Sequence, residues 1–145
     1  MFKRICRSNA LKLLLLMMIS VFIIGCGSKK YASLEEYVKS NPSVQAELDK
    51  TLSSSDGTGK SEISGNTIIM KMYYKEQAWG LDASIDSQLK SLMDQYFDKA
   101  SATLDQSISQ IAQESGVDAS LISFRYEYYN PNAESPSYTY TYPKK

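Results

Sequence analysis

The chain has 145 residues, with 16 basic and 16 acidic side chains, two cysteines and no histidine. Without histidine it lacks the most common general base, the most common metal ligand and every Ser-His or Cys-His nucleophile pair, so a non-catalytic protein without a cofactor is expected. No Lys/Arg cluster with interleaved aromatics occurs, and nucleic-acid binding is set aside on that ground.

The chain opens with a leader. Residues 1–12 carry Lys3, Arg4, Arg7 and Lys12 and no acid, and residues 13–24 form an uncharged apolar run of 12 residues. At about 1.5 Å per helical residue that run covers roughly 18 Å, short of the ~30 Å hydrocarbon core and in keeping with a secretory h-region. It ends in Ile23-Ile24-Gly25-Cys26, which resembles the lipobox of bacterial lipoproteins. The resemblance implies a signal peptide over residues 1–25, cleavage before Cys26 and a thioether-linked diacylglycerol on its sulfur. At about 0.8 kcal/mol per buried methylene, two long chains contribute on the order of 20 kcal/mol of membrane affinity. The expected location is the outer face of the cytoplasmic membrane, with the protein held there by lipid. The mature part would carry 12 basic against 16 acidic residues and no cysteine beyond Cys26.

Residues 26–32 read as the lipidated cysteine and a short tether, in which Lys29 and Lys30 can meet anionic head groups. A single domain over residues 33–142 follows, an ordinary length for one core. Ser33-Leu34-Glu35-Glu36 is a capping box: Ser33 is expected to accept from the Glu36 amide while Glu36 reaches back to the Ser33 amide. Leu34, Tyr37 and Val38 share a helical face, Asn41-Pro42 stops that helix and starts a second, and Val44, Leu48 and Leu52 continue the stripe. Residues 53–59 form a loop whose Asp56 and Thr58, with Glu62, superficially suggest a calcium site. The remaining ligands and flanking helices of an EF-hand are missing, and no metal is expected.

A Gly65-Asn66 turn joins two strands. In the second, Ile68, Met70, Met72 and Tyr74 alternate with Lys71, Tyr73 and Lys75, the pattern of a sheet with one wet side. Residues 82–115 keep a helical stripe of Ile85, Leu89, Leu92, Tyr96, Ala100, Leu104, Ile108 and Ile111, with Asp82 as N-cap and Gly116 at the C-terminal stop. One continuous helix from Asp82 to Ser115 would be roughly 50 Å long, so it overhangs its sheet or bends near Ala100-Ser101-Ala102. Asp86, Asp94, Asp98 and Asp105 are read as its solvated outer face.

Two tyrosine-rich strands end the chain: Ile122, Phe124, Tyr126 and Tyr128 alternate in one, Tyr138, Tyr140 and Tyr142 in the other. Cross-strand tyrosines packed beneath the helix are the structural expectation. The functional alternative is an aromatic platform of Trp79, Tyr126, Tyr128, Tyr138, Tyr140 and Tyr142 that takes a small ligand, glycan or peptide. The element order predicts an α+β fold, with helices on one face of a four-stranded antiparallel sheet made of two hairpins.

Ser33-Leu34-Glu35-Glu36-Tyr37-Val38, the Leu81-Asp82-Ala83-Ser84-Ile85-Asp86 stretch and the segment from Val117 to Tyr129 resemble a family of small lipoproteins from Firmicutes, a domain of unknown function. That resemblance implies fold and location and no catalytic residue. The expected role is binding of an envelope protein or glycan at the cell surface, through the open sheet face or the long helix.

Overall fold

The computed structural model describes residues 30–52, 57–74, 87–130 and 132–144. Cys26, Trp79, Asp82 and the loop acid Asp56 lie outside them. The elements are α1 (Leu34–Ser40), α2 (Pro42–Leu52), β1 (Gly57–Ser64), β2 (Thr67–Tyr74), α3 (Ser87–Lys99), α4 (Ser101–Ser115), a 3₁₀ turn (Ala119–Leu121), β3 (Ser123–Tyr129) and β4 (Tyr138–Tyr142). Among the described residues no helix is long and apolar enough to cross a membrane.

The fold is α+β, but its sheet is mixed rather than antiparallel. Strand order is β1-β2-β3-β4; the outer pairs are antiparallel, while β2 and β3 run parallel, with Thr67 opposite Ser123 and Tyr73 opposite Tyr129. The reason is the helical connection. A long crossover carries the chain back to the end of the sheet where β2 began, and a strand entered from there can only run parallel to it. Two sequential hairpins describe the outer pairs but miss this central one.

The single long helix is likewise two. It is interrupted at Ala100 (φ −87°, ψ 0°), whose N–H is shared between the Tyr96 and Phe97 carbonyls at 3.2 and 3.0 Å and whose carbonyl accepts from Thr103 and Leu104. The interruption falls in the stretch where a bend was the alternative to an overhang. Among the α3 side chains that are described, Met93 and Phe97 are buried and Tyr96 is only partly covered. A ring without a polar atom takes the centre, and the tyrosine keeps its hydroxyl at the margin.

At the N-terminus Ser33 caps α1, its Oγ accepting from the Glu36 amide at 3.2 Å. Glu36 reaches one residue further back than the capping box requires, to the Ala32 amide at 3.0 Å. Asn41 closes the helix by donating from Nδ2 to the Tyr37 carbonyl at 2.8 Å. Residues 31 and 32 therefore belong to the fold rather than to a free tether, and Tyr31 N–H donates to the Ser115 carbonyl at 3.1 Å.

The helices cover one side of the sheet, where Ile68, Met70, Met72, Phe124, Tyr126, Tyr128, Tyr138 and Tyr140 are buried against Leu34, Val44, Leu48, Leu52, Phe97, Leu104 and Ile111. Helix α2 also seals the outer edge of β1. Asp49 Oδ1 accepts from the Ser61 amide at 2.6 Å and the Ser61 hydroxyl at 2.8 Å, and Gln45 Nε2 donates to the Ser61 carbonyl at 2.9 Å. These bonds occupy backbone groups that an edge strand would otherwise offer to another chain. Packing here is close enough that a Cβ added at Gly59 would collide with the Cβ and the backbone carbonyl of Leu52. Because a backbone carbonyl cannot swing aside, Gly59→Ala is expected to destabilise the domain by about 1–3 kcal/mol, read as a lower urea midpoint at unchanged m-value.

Candidate functional site

The two faces of the sheet distribute the chemistry of the C-terminal strands very differently. On the helix side, Phe97 is sandwiched among tyrosines, with ring centroids 4.4 Å from Tyr140, 4.6 Å from Tyr126 and 6.4 Å from Tyr138. Tyr126, Tyr128, Tyr138 and Tyr140 are buried and Tyr142 is partly so. The structure thus brings five of the sequence-selected aromatics together, in the core beneath α3 instead of on an open platform; Trp79 lies outside the described residues.

The acids of the helices meet these tyrosines. Tyr138 donates to Asp94 Oδ1 at 2.7 Å, Tyr140 to Asp98 Oδ1 at 2.9 Å and Tyr142 to Asp105 Oδ1 at 2.6 Å. Alternate strand residues lie about 6.8 Å apart and helix residues i and i+4 about 6 Å apart, so the first two rungs match. Seven residues of unbroken helix would separate Asp98 from Asp105 by about 10.5 Å, and the interruption at Ala100 falls between them. Asp98 and Asp105 are exposed, as expected of a solvated helix face, and Asp94 is partly buried; what the helical pattern did not contain is that all three border the helix–sheet seam and accept hydrogen bonds from tyrosines. Lys144 completes the seam, its Nζ 2.7 and 2.9 Å from the two Asp98 oxygens and 5.5 Å from the centre of the Tyr140 ring. Its hydrogen bond, and then that of Tyr140, hold the Asp98 carboxyl below the usual range.

Among the described residues no helix covers the opposite face. Register sets Lys60, Lys71, Glu127 and Thr139 in one row across the four strands and Glu62, Ile69, Arg125 and Thr141 in the next. Lys71 Nζ lies 2.5 Å from Glu62 Oε2, which raises the lysine pKa and lowers that of the glutamate. Glu127 is buried in this layer by its neighbours: Arg125 Nε sits 2.8 Å from Oε1, and the Tyr129 hydroxyl donates to Oε2 at 2.6 Å. The Tyr129 ring stacks on Tyr73, centroids 4.7 Å apart and planes within 20°. A flat aromatic pair, an arginine and two acids thus share one surface, with the exposed Thr139 and Thr141 beside them. Arg125, Glu127 and Tyr129 were not singled out from the sequence, although the alternation that placed Lys71 and Tyr73 on the wet side places them there too. Among the described residues no group of three or more His, Cys, Asp or Glu is arranged to hold a metal ion.

Residues 34–135 match the domain of unknown function DUF4854, and the chain belongs to that family. No curated protein and no solved structure matches it.

The seam is directly testable. Tyr138→Phe removes the donor to a part-buried aspartate and is expected to cost about 1 kcal/mol in urea unfolding. Tyr126→Phe should act oppositely: that hydroxyl is buried with no hydrogen-bond partner among the described residues, so its removal is expected to leave stability equal or higher by about 1 kcal/mol. Tyrosine ionisation gives a second readout. The bond to Asp105, then burial, pushes the Tyr142 hydroxyl up to about 12; burial, then the bond to Glu127, pushes Tyr129 up to about 12. Burial first and the aspartate bonds second push Tyr138 and Tyr140 in the same direction. Unfolded tyrosines ionise near ~10, so these groups contribute fully below pH ~10 and lose that contribution as pH rises towards ~12. Alkaline titration is expected to show tyrosinate absorbance and loss of folded signal rising together across that window, rather than tyrosinate first.

Proposed function

We propose that the protein is a non-catalytic, lipid-anchored extracytoplasmic binding protein, and that it meets a protein or glycan of the cell envelope through the helix-free face of its sheet. The observation that carries the reading is the division of labour between the two faces. Asp94, Asp98 and Asp105 accept hydrogen bonds from tyrosines at the helix–sheet seam, while the other face carries Tyr73, Arg125, Lys71 and Glu62, with Tyr129 buried against Tyr73. Tyrosine and arginine are the side chains enriched in recognition surfaces, because they bring large contact area and directed hydrogen bonds at low entropic cost. Anchoring is supported by the charged, apolar and Cys26-terminated leader pattern and by the resemblance to small Firmicutes lipoproteins.

Two measurements test this. Metabolic labelling with a fatty acid is expected to mark the wild-type protein and not Cys26→Ser, and an unlabelled wild type would refute the anchor. Photo-reactive residues placed in cells at Thr139 and Thr141 are expected to give discrete adducts that Ala102 and Gln113, exposed on α4, do not give. Equal yields from both sets would count against the sheet face as the recognition surface.

A further inference from the structure

One end of the domain gathers the β1–β2 turn, the start of α1, the C-terminal end of α4 and the start of β3. Hydrogen bonds fix them to each other. Leu34 N–H donates to Asn66 Oδ1 at 2.9 Å, Glu35 N–H to the Gly65 carbonyl at 3.0 Å, Ser123 N–H to the Asn66 carbonyl at 3.1 Å and Tyr31 N–H to the Ser115 carbonyl at 3.1 Å. Tyr31 also packs edge-on against Tyr37, centroids 5.3 Å apart. The chain is therefore pinned to this end at Tyr31. Cys26 is five residues earlier, and that span cannot exceed about 18 Å even when fully extended.

Leu121 belongs to the same end. It is 58% exposed, the one exposed large hydrophobic among the described residues, and it closes the 3₁₀ turn that leads into β3. A single exposed leucine is ordinary on a protein surface; what distinguishes this one is its position beside the root of the anchor. Its backbone is held firmly. Asp118 Oδ1 accepts from the Ser120 amide at 2.9 Å and hydroxyl at 2.7 Å, and Leu121 N–H donates to the Asp118 carbonyl at 3.0 Å. Of the acids nearby, Glu35 is paired with Lys39 at 2.6 Å, while Asp118 and Glu36 keep their charge and accept from Ser120 and the Ala32 amide within the domain. Lys30, exposed, adds a positive charge worth about 1 kcal/mol near an anionic surface.

We infer that this end docks on the bilayer that holds the Cys26 lipid, with Leu121 inserted at the headgroup–acyl boundary and Lys30 among anionic head groups. The inference rests on the lipid-anchored reading. Docking stands the sheet upright: the seven residues of β3 then rise roughly 23 Å, carrying Tyr73 and Tyr129 away from the membrane and leaving the helix-free face accessible from the side.

Because the chain after Cys26 has no cysteine, one introduced thiol takes a fluorophore alone. The full-length protein, processed and acylated in cells, would be labelled at Leu121→Cys, at Ala119→Cys, or at Glu134→Cys in the exposed loop at the opposite end, and reconstituted in phosphatidylglycerol–phosphatidylethanolamine vesicles with brominated acyl chains. Inserted groups sit within about 5–10 Å of the acyl boundary, so quenching at 119 and 121 is expected to be roughly threefold stronger than at 134. Leu121→Asp should reduce the signal at 119 to the level of 134; the 119 label itself keeps Leu121 and does not depend on the folding of a Leu121 variant. Equal quenching at all three positions, in protein that carries the acyl label, overturns docking and leaves the anchor standing. Protein without acyl label that fails to co-float with the vesicles overturns both.

Discussion

Phe97 is the contact on which the rest of this structure depends. Its ring lies within stacking distance of Tyr126 and Tyr140, and close to Tyr138, so one helix residue ties the crossover helices to both C-terminal strands. Aromatic pairs of this kind contribute about 0.5–1.5 kcal/mol each beyond the area they bury. Placing tyrosines in a core raises the problem of their hydroxyls, each costly to bury without a partner. Three are served at the seam by Asp94, Asp98 and Asp105, so that the apolar part of each ring faces Phe97 and its polar tip reaches a carboxylate. Tyr126, at the centre, has no such partner among the described residues, which is the cost of its position directly under Phe97.

That seam accounts for half of the sheet, and α1 and α2 account for the other. Leu34, Leu48 and Leu52 cover the β1 side, and Asp49 and Gln45 reach round to the backbone of Ser61. All four described helices therefore serve one face. On the other, among the described residues, strand side chains pair with each other in place: Lys71 with Glu62, and Arg125 with Glu127, which also accepts from the Tyr129 hydroxyl. A surface organised by strand register rather than by loops is stiff.

Local rules were readable wherever the signal lies within a few residues. Ser33 as a cap, Asn41-Pro42 as a helix boundary, the Gly65-Asn66 turn and the left-handed Gly116 (φ 69°) all depend on neighbours in sequence. Strand alternation likewise separated Ile68, Met70 and Met72 from Lys71 and Tyr73. What escaped was long-range. An aspartate on an amphipathic helix is read as solvated because its 3.6-residue pattern contains nothing of the strand it will meet; only the stacking of β4 beside α3 supplies Tyr138 and Tyr140 as donors. The full burial of Phe97 beside a partly covered Tyr96 was hidden for the same reason, since the two rings are equally apolar in pattern and only the tyrosine-lined sheet decides which is taken in completely.

By itself, then, the sequence determined the α+β class, several start and stop signals, the alternating faces of β2, β3 and β4 and the leader pattern ending at Cys26, because each is a short-range matter of capping, period or composition. Tertiary structure decided that β2 and β3 lie parallel and that Tyr31 is pinned to Ser115, and it chose between alternatives the sequence left open: a break of the helical connection at Ala100 over an overhang, and buried C-terminal tyrosines over an open platform. In each case the deciding energy comes from groups far apart in the chain, brought together only when the crossover returns β3 to the start of β2.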